Sequence, residues 1–539
     1  MLLVLFTWLY AWLVFSALGC LFQRFVLKNE ATHPFWIILN GMFVYMIIIW
    51  TILYFRGYNV YFQAIVGVAS MLILYVLRSN CQIKKQILKQ WHTFHGFEKF
   101  FTLVIFVLSA AVSSTVSLLP DNESYYIQTV KWANEQGFVY GLMNIHPFLG
   151  QFSGWHILQA GINGHQAEFT ANALNGFLLI WFVFWVFSDS DQYFSGWLRY
   201  GLVFAPVWVV TTGAPSPDLP VWLLSLTVFD LFVKLYKRID NQYFNQFIIL
   251  TFFGLLIKPT TIVNLFLLMV LWIKYFKKLK KKLWFLTSFG LLFAVFWLSK
   301  NFILTGYAFY PFNWGGKVLQ PVWQYPPELL HFLKTAGQNE SHALVWNNLS
   351  SKAFVQWLFP DKFPEKIFNP AMLIFILIFP FIINRKKQNR KALLWIYLTN
   401  TVYLTIILFI NPNSRFFMHG LMFMSLLILH RILPEKSGKL LQKASFPFLA
   451  TSLAALLFLK GFNYRQIMVP RVSGLPNRFK TYTKARLHYH APQQPDLFWQ
   501  TGDAPLPAIA PRMLRFFEKE FGYYPQPIPN KKAYYSKKE

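Results

Sequence analysis

The sequence predicts an all-α polytopic membrane protein: a helical bundle of about 13 to 14 membrane segments, followed by a small extracytoplasmic C-terminal region. The composition is 55% hydrophobic, 20% aromatic and 13% charged, with a mean hydropathy of +0.39, whereas soluble domains carry about 25% charged residues. The formal net charge of +29 arises from 50 Lys and Arg that lie mostly in short loops between apolar runs. This placement indicates membrane orientation and argues against nucleic-acid binding.

The apolar runs are long enough to cross a bilayer, which takes about 17 to 25 residues. The predicted spans are residues 2–20, 35–55, 60–77, 99–118, 169–188, 197–213, 219–235, 245–257, 260–274, 283–303, 370–384, 392–410, 417–434 and 446–461. The eighth and ninth spans are short and are separated by Lys258-Pro259-Thr260, where proline removes a backbone donor that no water replaces in lipid. We expect two half-length helices that form a hairpin with an outward-facing tip.

The basic loops set the predicted orientation, because Lys and Arg accumulate on the cytoplasmic side. The strongest signal is the run 277–282, with five lysines in six residues. The loops predicted inside are 78–98, 234–244, 274–282, 385–391 and 435–445. The segments predicted outside are 119–168, the tip at Lys258, 304–369, 411–416 and the tail 462–539. The chain is predicted to have four regions. These are residues 1–98 with three spans and a basic loop, a core at 99–434, a last span at 435–461, and the tail. We expect the protein in the bacterial inner membrane.

Two carboxylates, Asp121 and Glu123, follow the fourth span directly. Each could cap the next helix or favour its dipole; alternatively, one could take a proton from a hydroxyl acceptor at the membrane surface. The residues after them, including Tyr126 and Trp132, have the spacing of a helix lying along the interface.

Three isolated basic residues stand at predicted outer ends of spans: Lys258, Lys300 and Arg415. The orientation rule gives no reason for them there. They either snorkel into the headgroups or supply positive charge to a phosphate in a water-poor cavity. Asp218, in Ser216-Pro217-Asp218, either binds a sugar hydroxyl or a basic partner, or caps the next helix.

Several motifs resemble those of the GT-C superfamily of polytopic glycosyltransferases, which includes protein O-mannosyltransferases and aminoarabinose transferases. The first is Asp121-Asn122-Glu123-Ser124-Tyr125-Tyr126 in the first outer loop of the core. The others, in chain order, are Ser216-Pro217-Asp218, Lys258-Pro259-Thr260, the run from Lys300-Asn301 through Thr305-Gly306 to Tyr310-Pro311, and Asn413-Ser414-Arg415-Phe416. The resemblance covers about residues 99–434. Asn122 stands where many members have Asp, so either Asp121 or Glu123 would be the base.

This resemblance implies an inverting glycosyltransferase that moves a sugar from a polyprenyl-phosphate carrier to an extracytoplasmic glycan, lipid or protein. Its general base would be Asp121 or Glu123, and Lys258, Lys300 and Arg415 would bind the phosphate. Residues expected at the substrate are Asp218, Tyr126, Trp132, His146, His156 and Tyr310, although the two histidines could equally be loop residues with ordinary partners. The lipid-linked sugar is the donor and a divalent metal is compatible with the chemistry. The alternatives are a transporter or a non-catalytic membrane protein of polysaccharide assembly.

The tail is expected to form a small cap over the cavity mouth or to bind an anionic glycan or lipid headgroups. We predict an amphipathic helix at 512–521, disorder at 531–539, and a further helix near 327–336 in the preceding outer loop. The two cysteines, Cys20 and Cys81, fall on the predicted inner side, so no disulfide is expected between the outer loops. The cysteines and histidines have no spacing typical of a metal site.

Overall fold

The computed structural model describes residues 1–28, 33–77, 81–163, 172–188, 196–314, 316, 319–341, 343, 351–384, 389–476, 478–493 and 497–538. Within these residues, nine helices are long and apolar enough to cross a membrane by length and composition, and three apolar helices are shorter. The chain is therefore an all-α polytopic membrane protein, and its two small sheets both lie in the tail.

The helices of the first half of the chain are α1 (Leu2–Phe22, extended by a π-helical turn at Gln23–Leu27), α2 (Pro34–Leu53), α3 (Val60–Val76), α4 (Ile83–Thr93), α5 (Gly96–Ser113), α6 (Ile127–Glu135), α7 (Gly154–Asn163), α8 (Ala173–Phe187), α9 (Ala205–Thr212), α10 (Asp218–Lys237) and α11 (Asn241–Ile257). The later helices are α12 (Val263–Lys274), α13 (Phe276–Leu279), α14 (Leu283–Thr305), α15 (Pro327–Glu340), α16 (Ser351–Leu358), α17 (Glu365–Asn384), α18 (Arg390–Ile410), α19 (Ser414–Ile432), α20 (Glu435–Leu459), α21 (Arg465–Met468) and α22 (Pro511–Phe521).

Each predicted span overlaps a helical segment of the described residues, which leave out 169–171 of the fifth span, and the fourth span is helical only to Ser113. Two segments are irregular. The span predicted at 197–213 is a 3-10 helix, Gly196–Phe204, followed by α9, which has a proline in its first turn. Proline suits a helix start and removes a donor that a continuous helix would need. The predicted break at Lys258 is also present: Lys258 is extended (φ −155°, ψ 126°) and a 3-10 turn, Pro259–Ile262, leads into α12.

Helices α1 and α2 approach closely through two glycines. A Cβ built on Gly41 would lie 1.9 Å from the carbonyl oxygen of Phe15, and one on Gly19 would lie 2.0 Å from that of Ile37. Neither position has room for a side chain. Small residues at such crossings let helix backbones pack directly, which is how helices associate in lipid.

Contacts between distant segments define two ends of the bundle. At one end, Tyr236 accepts hydrogen bonds from Lys274 and Tyr275, which brings together two of the basic loops predicted inside. A disulfide between Cys20 and Cys81 joins α1 to the segment after α3, with 5.7 Å between the Cα atoms. Sequence analysis did not anticipate this bond.

At the other end, the tail packs on segments that were predicted to lie outside. The terminal amine of Met1 donates to the carbonyls of Gln466 (2.6 Å) and Ile467 (2.9 Å). The tail contains two antiparallel hairpins, β1 (Phe479–Lys484) with β2 (Leu487–Pro492) and β3 (Tyr523–Pro527) with β4 (Tyr534–Lys538), on either side of α22.

The predicted helices at 512–521 and 327–336 are confirmed by α22 and α15. The prediction of disorder at 531–539 is wrong for 531–538, because β4 pairs with β3 along its whole length and Ser536 Oγ donates to Asn144 Oδ1 at 2.7 Å. Glu539 lies outside the described residues. The polar composition of that segment suggested disorder; the strand forms because a partner strand and an outer loop both lie within reach.

Candidate functional site

Asp121 directs its carboxylate toward the first turn of α19. Its Oδ2 accepts a hydrogen bond from Arg415 Nη1 at 2.6 Å and one from the hydroxyl of Tyr126 at 3.2 Å. Asp121 is the N-cap residue of a π-helical turn, Asn122–Tyr126, but its side chain makes no capping hydrogen bond. The Asp121 side chain therefore does not cap this helix.

Asp218 begins α10 and forms an ion pair with Lys258, at the break between α11 and α12. Ser216 Oγ accepts from the Asp218 backbone N–H at 3.2 Å, so Ser216 takes the capping role that Asp218 might have had. Asp218 was predicted to bind a sugar hydroxyl or a basic partner, or to cap the helix, and the structure shows the basic partner, Lys258.

The two ion pairs form one cluster. The ring of Phe416 lies beneath both cations, with its centroid 4.7 Å from Lys258 Nζ and 5.4 Å from Arg415 Cζ. Asp218 interacts electrostatically with Arg415 as well as with Lys258, and Trp222 of α10 donates its indole N–H to the Arg415 carbonyl at 3.0 Å. Four chain segments thus meet at this point, which we call the charge cluster: Asp121, Asp218, Lys258 and Arg415.

Exposure is graded across the charge cluster. The side chains of Arg415 and Asp121 are 40% and 26% exposed, whereas those of Lys258 and Asp218 are 18% and 6% exposed. The outer pair can therefore be reached from outside the protein, and the inner pair lies in surroundings that screen charge weakly.

His156 and Lys300 lie behind the cluster. His156 interacts electrostatically with Lys300, Lys258 and Asp218, and its ring centroid is 5.0 Å from that of Tyr126. Neither nitrogen of the His156 ring makes a hydrogen bond of normal geometry with the described residues, and burial lowers the pKa of His156 to about 3. This histidine is neutral at physiological pH. Lys300 is buried and donates to the carbonyl of Phe152 at 2.8 Å.

Glu123 faces away from the charge cluster and into the tail. Its Oε2 accepts from the hydroxyl of Ser473 at 2.7 Å and its Oε1 from the N–H of Gly474 at 2.8 Å. Both carboxylate oxygens therefore have partners. The two candidate bases lie two residues apart but have different partners: Asp121 contacts Arg415, and Glu123 contacts the tail.

The remaining predicted substrate residues lie outside the cluster. His146 Nε2 is 3.1 Å from the carbonyl of Trp499 in the tail, so it has the ordinary partner of a loop histidine. The Trp132 ring packs against Tyr534 of β4 at 6.1 Å between centroids. Tyr310 is half-buried, and its carbonyl accepts from Asn301 at 3.2 Å.

The interfacial helix predicted after Asp121 is not at the interface. Tyr126 and Trp132 are both buried, because α6 lies between α7 and the tail instead of along the membrane surface. The spacing of apolar residues in α6 reflects packing against protein on two sides.

The three isolated cations do not snorkel: Lys258 and Arg415 pair with acids, and Lys300 donates to a backbone carbonyl. In the part of the chain that the structure describes, no three His, Cys, Asp or Glu side chains gather as a metal site. Sequence analysis missed the partners of Glu123, because Ser473 lies 350 residues further along the chain and no local pattern marks it.

Fold and site together define a class of protein, an all-α polytopic membrane protein with a charge cluster at one end of its helices. The profile of the family Domain of unknown function (DUF8201) matches residues 1–422, and the chain belongs to this family. The match includes every member of the charge cluster and ends before the tail. The comparisons with curated proteins and with solved structures each gave no significant match.

Proposed function

We propose that this protein is an inverting glycosyltransferase of GT-C type, which transfers a sugar from a polyprenyl-phosphate carrier to an extracytoplasmic acceptor. The observation that carries the proposal is the charge cluster, where a partly exposed acid, Asp121, lies 2.6 Å from Arg415 and beside a second, deeper ion pair. The two cations and two carboxylates of the cluster carry no net charge. Arg415 is the more exposed cation, and it would hold the single negative charge of a sugar phosphodiester.

Each group has a role in the proposed reaction. The acceptor hydroxyl attacks the anomeric carbon while the bond from that carbon to the phosphate oxygen breaks, and the bonding electrons leave with the lipid phosphate. Asp121 takes the hydroxyl proton as general base. Arg415 and Lys258 stabilise the second negative charge that develops on the phosphate, and Lys258 does so in surroundings that screen charge weakly. His156 is neutral and buried behind the cluster, so no contact with the sugar is assigned to it.

The test is a transfer assay with the purified protein in lipid nanodiscs and polyprenyl-phosphate sugars extracted from the source membranes. Transfer is measured as labelled acceptor and as released polyprenyl phosphate. We expect Asp121→Asn to lower kcat by about 10²–10⁴-fold, the usual contribution of a general base. Lys362→Met is the control, because Lys362 and Glu340 form an exposed ion pair that includes no member of the charge cluster, and the variant should keep full activity.

Three outcomes would count against the proposal. Full activity in Asp121→Asn would remove the assigned base. Donor binding with no transfer and no phosphate release would favour a non-catalytic role in polysaccharide assembly. Movement of the intact lipid-linked sugar across the membrane of sealed vesicles that contain the protein would favour the transporter.

A further inference from the structure

We infer that Glu123 is a positioning residue, which anchors the tail to the segment that begins at Asp121 and thereby holds Asp121 against Arg415. The effect on activity rests on the proposed function. The anchoring of the tail is independent of it, because docking of the tail can be measured without a substrate.

Glu123 makes four hydrogen bonds to two separate parts of the tail. Its carboxylate accepts from Ser473 and Gly474, and its backbone carbonyl accepts from the N–H groups of Thr501 (3.0 Å) and Gly502 (2.8 Å). The tail thus holds this residue by side chain and backbone together. Glu123 also lies in a π-helical turn, a rare form of helix that often occurs at functional sites.

The fit at Gly502 is tight. This glycine has a positive φ of 53°, and a Cβ built on it would lie 3.0 Å from Glu123 Oε2 and 2.8 Å from Ser473 Oγ. Glycine is the residue that adopts this conformation without strain and leaves space for the carboxylate.

The neighbours of Glu123 extend the same contact along the chain. Asn122 Nδ2 donates to the carbonyl of Val472 at 2.9 Å, Gln128 donates to the carbonyls of Gly502 and Ala504, and Lys131 pairs with Asp503 at 3.0 Å. Tail contacts therefore begin at the residue directly after Asp121. Because Asp121 is bonded covalently to this clamped segment, the tail limits where its carboxylate can lie.

Two features separate a positioning role from a role as the base. Both oxygens of Glu123 are occupied by tail donors, whereas Asp121 points to Arg415 and is open to the outside. A base must also accept a proton from the acceptor and release it in each turnover, and Glu123, which is 8% exposed beneath the tail, is closed to an acceptor hydroxyl. The acid of the charge cluster and the acid of the tail contact therefore have different functions.

The experiment compares Glu123→Gln and Glu123→Ala with Asp121→Asn in the transfer assay and in limited trypsin digestion. A glutamine keeps one oxygen for the Gly474 N–H, and its amide can donate to the Ser473 hydroxyl, which is able to accept. An alanine loses both contacts. Digestion reports on docking, because Arg471 and Arg478 flank the segment that Glu123 holds.

We expect Glu123→Gln to keep tail protection and a kcat within about threefold of the unaltered protein, and Glu123→Ala to be cleaved at least about tenfold faster with a similar fall in kcat. The KM for the donor should change little, since Arg415 and Lys258 remain. The pH profile of Glu123→Ala should keep its shape, because Asp121 still accepts the proton.

The inference is overturned if Glu123→Gln loses transfer as completely as Asp121→Asn while its tail stays protected, since Glu123 would then be the proton acceptor. It is also overturned if Glu123→Ala undocks the tail and leaves kcat unchanged, because docking would then have no effect on Asp121. If the unaltered protein transfers no sugar, the proposed function fails; faster cleavage of Glu123→Ala than of Glu123→Gln would still support the anchoring role, and equal cleavage would refute it.

Discussion

Glu123 is buried, and burial raises its pKa above the usual range for glutamate. Hydrogen bonds from Gly474 and Ser473 act in the opposite direction, and the nearby Asp503 carboxylate adds to the rise. The net effect is a raised pKa in the docked tail. Free in water, the same side chain would ionise at its ordinary pKa.

A pH dependence of stability follows from this shift. Between the ordinary and the raised pKa, the folded protein binds more protons at Glu123 than the unfolded chain does, so this residue's contribution to stability falls as the pH rises through that interval. Glu123→Gln cannot ionise. We therefore expect its Tm, relative to that of the unaltered protein, to rise by about 1–3 °C across the interval in thermal unfolding in detergent. A difference independent of pH would contradict the assignment.

At the scale of residues, the sequence predicted the charged groups better than it predicted their partners. Lys258 and Arg415 stood out as cations where orientation gave no reason for them, and both lie in the charge cluster. Asp121 and Glu123 could not be told apart, because the partners that separate them, Arg415 and Ser473, are 294 and 350 residues away. The sequence contains no local signal for contacts of that range.

Among the helices, the α1–α2 crossing depends most directly on single residues. Gly41 and Gly19 lie against backbone atoms of the opposite helix, and backbone cannot move aside as a side chain can. Dispersion contacts between closely packed backbones are a main source of helix association in lipid. Any added Cβ must push the two helices apart.

We expect Gly41→Ala to destabilise the protein by about 1–3 kcal/mol, the usual cost of overpacking, and to lower the Tm in detergent by several degrees. Gly290→Ala is the matched control: it is also a helix-interior glycine, in α14, and the nearest atom to its Cβ would be a Phe252 ring carbon at 3.9 Å. The control should be neutral or slightly stabilising, because alanine favours helix. Equal losses of stability in the two variants would show that the close approach is unimportant.

At the scale of elements, the length of an apolar run predicted the membrane spans reliably, whereas the local composition of the tail did not predict its strands. Spans such as α2 and α18 were predicted because a bilayer demands an uninterrupted apolar helix, and the structure has them. Strand β4 was mistaken for a disordered segment, since its stability comes from pairing with β3 and from an outer loop. The enclosed position of α6 likewise depends on the tail.

For the whole molecule, the segments divide between two ends. The Met1 amine and the tail lie together, and the charge cluster lies at the same end, because Asp121 is next to residues that contact the tail. The basic segments around Tyr236 and Lys274 meet each other at the opposite end. An even number of crossings then separates Met1 from the tail.

The positive-inside rule assigns these ends to the two sides of the membrane. In a Cys20→Ser, Cys81→Ser background, we expect Arg478→Cys in the tail to react with a membrane-impermeant maleimide on intact cells, with the outer membrane permeabilised where there is one. Lys280→Cys, in the basic run 277–282, should react only after the inner membrane is opened; both positions are exposed in the fold. If the pattern were reversed, the charge cluster would face the cytoplasm, where nucleotide-activated sugars are available. A lipid-linked donor would then not be required, and the proposed donor would be wrong even if every contact in the cluster were present.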